Sequence, residues 1–468
     1  MFRNARPGRV ASWGRVRAVV LAVVAVLAVV PLSASSCVPG ARSAAARPVD
    51  RAPHEVRTDP AALGDVTLVV WDQEVRGGQE KQITALNEAF HRRYPNITVR
   101  RVARSFADLR DTARLALTGD DPPDVLQVNN GRQDMGAFVR AGLLRPLTGE
   151  AAAYGWESRF PQQVLQLCRY PDAGDLLGEG RLHGLPQTGE LVGIYYNRAI
   201  LAELGLTPPR TWAEFDAALA TAKRAGRLPI QFGNLDKSTG IHLLGLALHR
   251  FVRPEDETAL ATGRPGASWS TPATEAAARL LVEWVDRGYL PEGFAGVHSD
   301  DSWAAFGRGE GLFHVGGSWL VPDLSAAMGD NVGFMLPPSS DGTTGRPVVT
   351  GGTGLPFAVS ARSRHPDAAA AYLDFITSPE AMTVLARTRN LPATPPKADR
   401  PADLLGTVIT GWENVTSSGV LVPYLDYATN TAYETIGDSV ERLLAKAIPV
   451  PMFLEALQAD RDADRGGR

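Results

Sequence analysis

Two carboxylates held about 5 to 10 Å apart across a sugar bond are enough for glycoside hydrolysis. The chain offers Asp72, Glu74, Glu190, Asp300 and Asp301 in stretches able to line a cleft. Carboxylates also hydrogen-bond sugar hydroxyls without any chemistry, so these residues alone leave both uses open. The stretch "GRGEGLFHVGGSWL" runs from Gly307 to Leu320 and contains the start of a nucleophile elbow. That sharp turn needs small residues on both sides of the serine, and Leu320 stands where the second glycine belongs, so Ser318 is a poor nucleophile. The sequence has no G-x-x-x-x-G-K-[ST] phosphate loop and no H-E-x-x-H metal helix. His242 and His249 lack the i, i+4 spacing that would chelate a metal, and read as core or surface residues. "DRDADRGG" places Asp460, Asp462 and Asp464 like the opening of a calcium loop. Arg465 takes the glycine position, however, and no twelfth-position glutamate follows. These residues predict no metal and no cofactor.

The chain that must position these groups has 468 residues and a formal net charge of −3, with 44% hydrophobic and 21% charged residues. That is long for one core and carries no basic excess pointing to nucleic acid. Five arginines, Arg3 to Arg17, precede "AVVLAVVAVLAVVPL", Ala18 to Leu32. A run of about 15 apolar residues is short for a membrane span and right for an export signal, so 1–36 reads as a signal peptide. "SASSC" ends at Cys37, preceded by small residues in the manner of a bacterial lipobox, with its leucine two places early at Leu32. Cys37 is read as the lipidated first residue of an exported, membrane-anchored protein; the other reading is a cleaved leader with Cys37 incidental. Cys168 is then left without a disulfide partner and reads as a buried thiol.

Residues 37–64, rich in Ala, Pro and Arg, read as a flexible tether. Order is expected from "VTLVVW", a run apolar enough for a strand buried on both faces. Ile83, Leu86, Phe90 and Tyr94 form one helical stripe, "ITVRRV" a second strand, Leu109 to Leu117 a helix and "DVLQV" a third strand. Strand-helix alternation is the α/β pattern, with ligands at the carboxyl ends of strands. Thr211 and Glu214 make a capping box, Thr271-Pro272 opens another helix, and Ser378-Pro379 caps a third. "VVTGGTGLPFAVS" reads as a strand pair broken by glycines, and 461–468 as a disordered polar tail.

The ordered landmarks "VTLVVWD", "ALNEAFHRRYPNITV", "DPPDVLQV", "GRLHGLPQTGELVGIYYNRAILAELGLTPPRTWAEF", "FGRGEGLFHVGGSW", "VVTGGTGLPFAVSARSRHPDAAAAYLDFITSPEA" and "LPATPP" resemble the bacterial family 1 extracellular solute-binding proteins. These are the maltose-binding-protein-like lipoproteins of carbohydrate ABC transporters. The resemblance covers nearly everything from Val66 to Ala459. It implies a two-lobed periplasmic-binding-protein-like fold of type II, with the ligand between α/β lobes joined by crossover hinges. By matching, 65–188 and 355–398 form the N-terminal lobe, and 189–354 and 399–460 the C-terminal lobe. It further implies a monomer that binds a sugar or oligosaccharide and meets permease subunits in the cytoplasmic membrane. Within that frame Trp319 is the expected platform for a pyranose face. Asp72, Gln73 and Glu74 follow the first strand, and Asn129 and Asn130 follow the third. Gln187, Thr188 and Glu190 lie at the first crossover, Gly352 and Thr353 at the second, with Trp303 and Tyr424 as further aromatic candidates; Tyr195 reads as core. Val128 replaces the aromatic that maltodextrin binders carry, which argues against a long malto-oligosaccharide platform. Two other readings are a secreted carbohydrate-active enzyme, and the same fold binding a glycerophosphodiester or polyol phosphate through Arg132.

Overall fold

The computed structural model describes residues 48–338, 346–397 and 400–466. The export signal and Cys37 lie outside the described residues. The first sheet begins with β1 (Val66–Asp72), flanked by parallel β2 (Ile97–Ala103) and parallel β3 (Val125–Gln127). Helices Gly77–Arg93 and Phe106–Thr118 make the crossovers, the second opened by Ser105, whose side chain accepts from the Asp108 N–H. Val66, Leu68 and Val70 face Ile83, Leu86 and Phe90 in one core cluster. Thr67 is exposed and Val69 and Trp71 are half-buried. β1 therefore buries one face fully rather than both. The other face of Trp71 is covered by the Arg104 guanidinium, 4.1 Å from the ring centroid.

After a short hairpin, β4 (Arg169–Tyr170) and β5 (Arg181–Leu182), the chain enters a second sheet. Its centre is β6 (Gly189–Asn197), which pairs antiparallel with β8 (Phe313–Gly317), β9 (Val332–Met335) and β10 (Val348–Thr353). β7 (Ile230–Gln231) extends it beside β8, and β12 (Val420–Val422) beside β10. β11 (Phe357–Val359) belongs to the first sheet, antiparallel to β3. The expected strand pair in "VVTGGTGLPFAVS" is thus two strands in different sheets, because the glycine-rich link carries the chain from one lobe to the other. Tyr195 is buried and donates its hydroxyl to the Gly317 carbonyl at 2.9 Å.

The connections between lobes run side by side. Gly189 N–H bonds the Leu391 carbonyl, Ala393 N–H the Gln187 carbonyl and Gly354 N–H the Thr188 carbonyl, each at 3.1 Å. Gly354 is required here, since a Cβ would fall 2.0 Å from Thr188 Oγ1.

Both ends of the described chain are more ordered than their composition predicts. Residues 48–64, expected as tether, contain short helical turns at Pro53–Glu55 and Pro60–Leu63. Arg51 donates to Glu150 at 2.7 Å and to Asp367 at 2.5 Å. Those carboxylates are 2% and 9% exposed, and buried charge demands a partner. The expected disordered tail is the end of helix Val450–Gly466. Asp460 accepts from Thr429 and Thr435 at 2.6 and 2.9 Å, and Asp464 pairs with Arg132 at 2.6 Å, which docks the helix.

Candidate ligand-binding site between the lobes

On the first lobe the site is built by the loop after β1. Asp72 is fully buried and takes both arms of the Arg101 guanidinium at 2.7 Å while accepting the Glu74 N–H at 3.0 Å. It shapes the loop and has no oxygen facing a ligand, which corrects its expected role. The Gln73 N–H is held by Gln127 Oε1 at 2.8 Å, which turns the Gln127 amide nitrogen onto Glu74 Oε1 at 2.7 Å. A second amide chain ends on the same carboxylate. The Ile376 carbonyl takes the Gln187 amide at 3.0 Å, Gln187 Oε1 takes Gln82 Nε2 at 3.2 Å, and that nitrogen lies 3.4 Å from Glu74 Oε2. Backbone groups fix the start of both chains, so both deliver N–H to Glu74 and hold it as an acceptor. Burial pushes its pKa up to about 7, offset in part by the Gln127 hydrogen bond.

On the second lobe Glu190, at the start of β6, accepts the Tyr424 hydroxyl at 2.7 Å. Desolvation lifts its pKa to about 8, with Glu74 adding to the rise. The His242 ring lies between Tyr424 and Trp319, at centroid distances of 5.7 and 5.6 Å. Desolvation lowers the His242 pKa to about 4, so it is neutral at pH 7, and its Nδ1 has no partner. Trp319 is half-buried and lies over Gly317, where a Cβ would sit 2.0 Å from its ring. A Cβ at Gly316 would fall 2.8 Å from Leu320. The paired glycines thus let the two side chains fold back onto the end of β8. Ser318 is buried, with its hydroxyl 3.2 Å from the Leu191 N–H it accepts, and has no base beside it.

The rim joins the lobes. Arg76, just before helix Gly77–Arg93, reaches Asp300 at 3.1 Å, and Trp303 Nε1 donates to the same oxygen at 2.9 Å. Arg76 is the cation common to Glu74, Glu190, Asp300 and Asp323. A Cβ at Gly78 would lie 2.3 Å from Pro322 Cβ, so that glycine permits helix Val321–Met328 to abut the first helix.

Other expected ligand residues turn inward. Asn130 donates to the Leu167 carbonyl at 2.6 Å and accepts from Thr353 at 3.2 Å and Tyr427 at 3.4 Å. Asn129 donates to Asp134 at 3.2 Å. Gly352 pairs with Glu190 in the sheet. Asn130 and Thr353 therefore stitch the lobes together, Asn129 donates within the first lobe, and Gly352 supplies sheet backbone. Arg132 is buried, donates to the Ala428 carbonyl at 2.8 Å and pairs with Asp464, so it is not available to a phosphate. The structure thus brings together Glu74, Glu190, Tyr424 and Trp319, with Gln187 behind them and Trp303 at the rim. It adds Arg76, Gln82, Gln127 and His242, which the sequence reading did not assign to the site. Position offers one signal for Arg76, directly after "WDQEV" at a strand's carboxyl end; His242, whose spacing to His249 does not suit a metal, reads from the sequence as a core or surface residue. Among the described residues no group of three or more His, Cys, Asp or Glu could hold a metal ion.

A profile of the bacterial extracellular solute-binding proteins matches residues 77–383. The multiple sugar-binding protein of Streptococcus mutans is 23% identical over 304 residues, covering 63% of this chain and 67% of that one. A solved chitin oligosaccharide binding protein superimposes with a TM-score of 0.73 at 22% identity, over 86% of this chain and 99% of its own. The solute-binding protein RafE in complex with raffinose gives 0.68 at 20% identity, over 85% and 99%. These two-lobed neighbours share the interlobe architecture described above, and the chain belongs to the bacterial extracellular solute-binding protein family.

Proposed function

We propose that this protein is the substrate-binding component of an ABC importer, capturing a sugar or oligosaccharide between its lobes and presenting the closed form to the permease. One observation carries the reading. Glu74 on the first lobe and the Glu190–Tyr424–His242–Trp319 group on the second meet at one interlobe face. An aromatic face beside hydrogen-bond acceptors suits a pyranose, which has an apolar C–H face and a polar rim. In this reading the lobes 65–188 with 355–398 and 189–354 with 399–460 close about the three crossovers, and a contact that spans them, such as Arg76–Asp300, favours the shut form. The names of the relatives support a carbohydrate ligand. No described helix is long and apolar enough to cross a membrane. Export, a lipid anchor at Cys37 and a monomeric state belong to the proposal; mass spectrometry of the mature N-terminus checks the anchor.

Isothermal titration of the folded protein against mono- and oligosaccharides tests the function, with saturable binding expected for at least one. Silence across the panel counts against it. The facing carboxylates keep a glycosidase reading testable: turnover of a chromogenic glycoside, abolished by Glu74→Gln or Glu190→Gln, would replace transport by hydrolysis. The expected result is binding without turnover.

A further inference from the structure

The interlobe face gathers acceptors on both sides. Glu74 is 2% exposed and receives only amide N–H groups, and Glu190 receives only the Tyr424 hydroxyl. Among the described residues no lysine, arginine or histidine makes an ion pair with either. The cation nearest in influence, Arg76, commits its guanidinium to Asp300 at the rim, whose side chain is 62% exposed. Beside Glu74, Gln82 is fully buried and its Oε1 has no hydrogen-bond partner. Rotating that amide would not help, because its nitrogen already lies between two acceptors, Glu74 Oε2 and Gln187 Oε1. Gln187 cannot turn either, since its own nitrogen is held by the Ile376 carbonyl. An unmatched buried acceptor beside two carboxyls that burial holds above their ordinary pKa asks for a cationic donor, whose charge would ionise both and pair with them.

A hydroxyl meets this need only in part, with one donor and lone pairs of its own. An ammonium has three donors and no acceptor, and the Tyr424 and Trp319 faces on either side of His242 attract cations as well. Resting on the sugar-binding reading above, we propose that this site selects saccharides bearing a free, protonated amine, with the ammonium between Glu74, Glu190 and the Gln82 amide oxygen. The Arg76 Nε, a buried donor without a partner, then takes an oxygen of the same sugar. Sugar phosphates and uronates are rejected by the same carboxylates.

The experiment is calorimetric titration at pH 7 and low salt with three ligands of equal length: deacetylated chitotriose, its N-acetylated form and cellotriose. The deacetylated ligand is expected to bind at least tenfold more tightly than either neutral one, with the advantage shrinking as salt is added. Glu190→Gln and Glu74→Gln should each erase most of that advantage while near-ultraviolet circular dichroism stays unchanged. Neutral ligands binding equally or better overturns the amine selection and leaves sugar binding standing. An advantage that survives both substitutions overturns the placement of the ammonium. If none of the three binds while another saccharide does, the selection is wrong; if no saccharide binds at all, the sugar-binding reading itself fails.

Discussion

Two surfaces of contact between the lobes use the same vocabulary of amides, carboxylates and tyrosines to opposite ends. Along the seam, Asn130 and Arg132 meet Thr353, Tyr427, the Ala428 carbonyl and Asp464, and the Asn130 side chain is satisfied by protein alone. At the proposed ligand face, Glu74, Gln82 and Glu190 keep acceptor capacity that the chain does not fill, and the His242 Nδ1 has no partner. Residue type does not separate adhesive from receptive surface. What separates them is whether the partners were already supplied from elsewhere in the same chain.

The largest expected effect breaks the seam. Arg132→Ala removes the buried guanidinium that ties Asp464 and the Ala428 carbonyl to the first lobe, and should cost about 3 kcal/mol of stability, seen as a lower urea midpoint. Sugar affinity, measured below the transition, should change much less; a larger loss of affinity than of stability would erase the distinction between the surfaces. Trp319→Ala is the converse. It should weaken sugar binding roughly 30- to 100-fold by calorimetry, since stacking area is lost, while a half-buried site costs little stability. An unfolded variant would make Trp319 a core residue. Smaller still, Gly78→Ala wedges the first helix off Pro322 and should reduce affinity about tenfold by penalising the shut form. Adding Pro322→Gly should restore most of it, and no rescue would put the strain inside the first lobe, where the Thr388 carbonyl is also near.

The smallest effect is in pH. Glu74 and Glu190 have folded pKa values near 7 and 8, above their ordinary value, as do Asp134 near 6 and Asp426 near 7. The folded protein then holds more protons than the unfolded chain, so stability falls as pH rises toward 8. His183, His242 and His314, lowered to about 4, act oppositely, raising stability as pH rises from 4 to 6.5. The net fall is therefore expected between pH 6.5 and 8, and Glu190→Gln should flatten part of it in a thermal melt.

Local grammar was readable wherever cause and effect are neighbours. Thr211 and Glu214 form the capping box their spacing implies, and Ser378 caps the helix begun by Pro379. Trp319 was marked by the glycines before it. The fate of Asn130 was not readable, because Tyr427 and Thr353 lie hundreds of residues away and nothing near Asn130 announces them. The aspartates near the C-terminus misled for the same reason: threonines and an arginine from distant segments turn a polar end into a docked helix. Arg76 was overlooked because its reach across the lobes depends on their relative placement.

Arg51 has a mechanical consequence. Its grip on Glu150 and Asp367 fastens the start of the described chain to the first lobe, away from the three crossovers. If the chain is anchored at Cys37 as proposed, a pull along its N-terminal segment is taken up by that lobe as load on a fixed bracket. In the proposed hinge motion the second lobe would then swing without that load, at the same cost whatever the tension on the anchor.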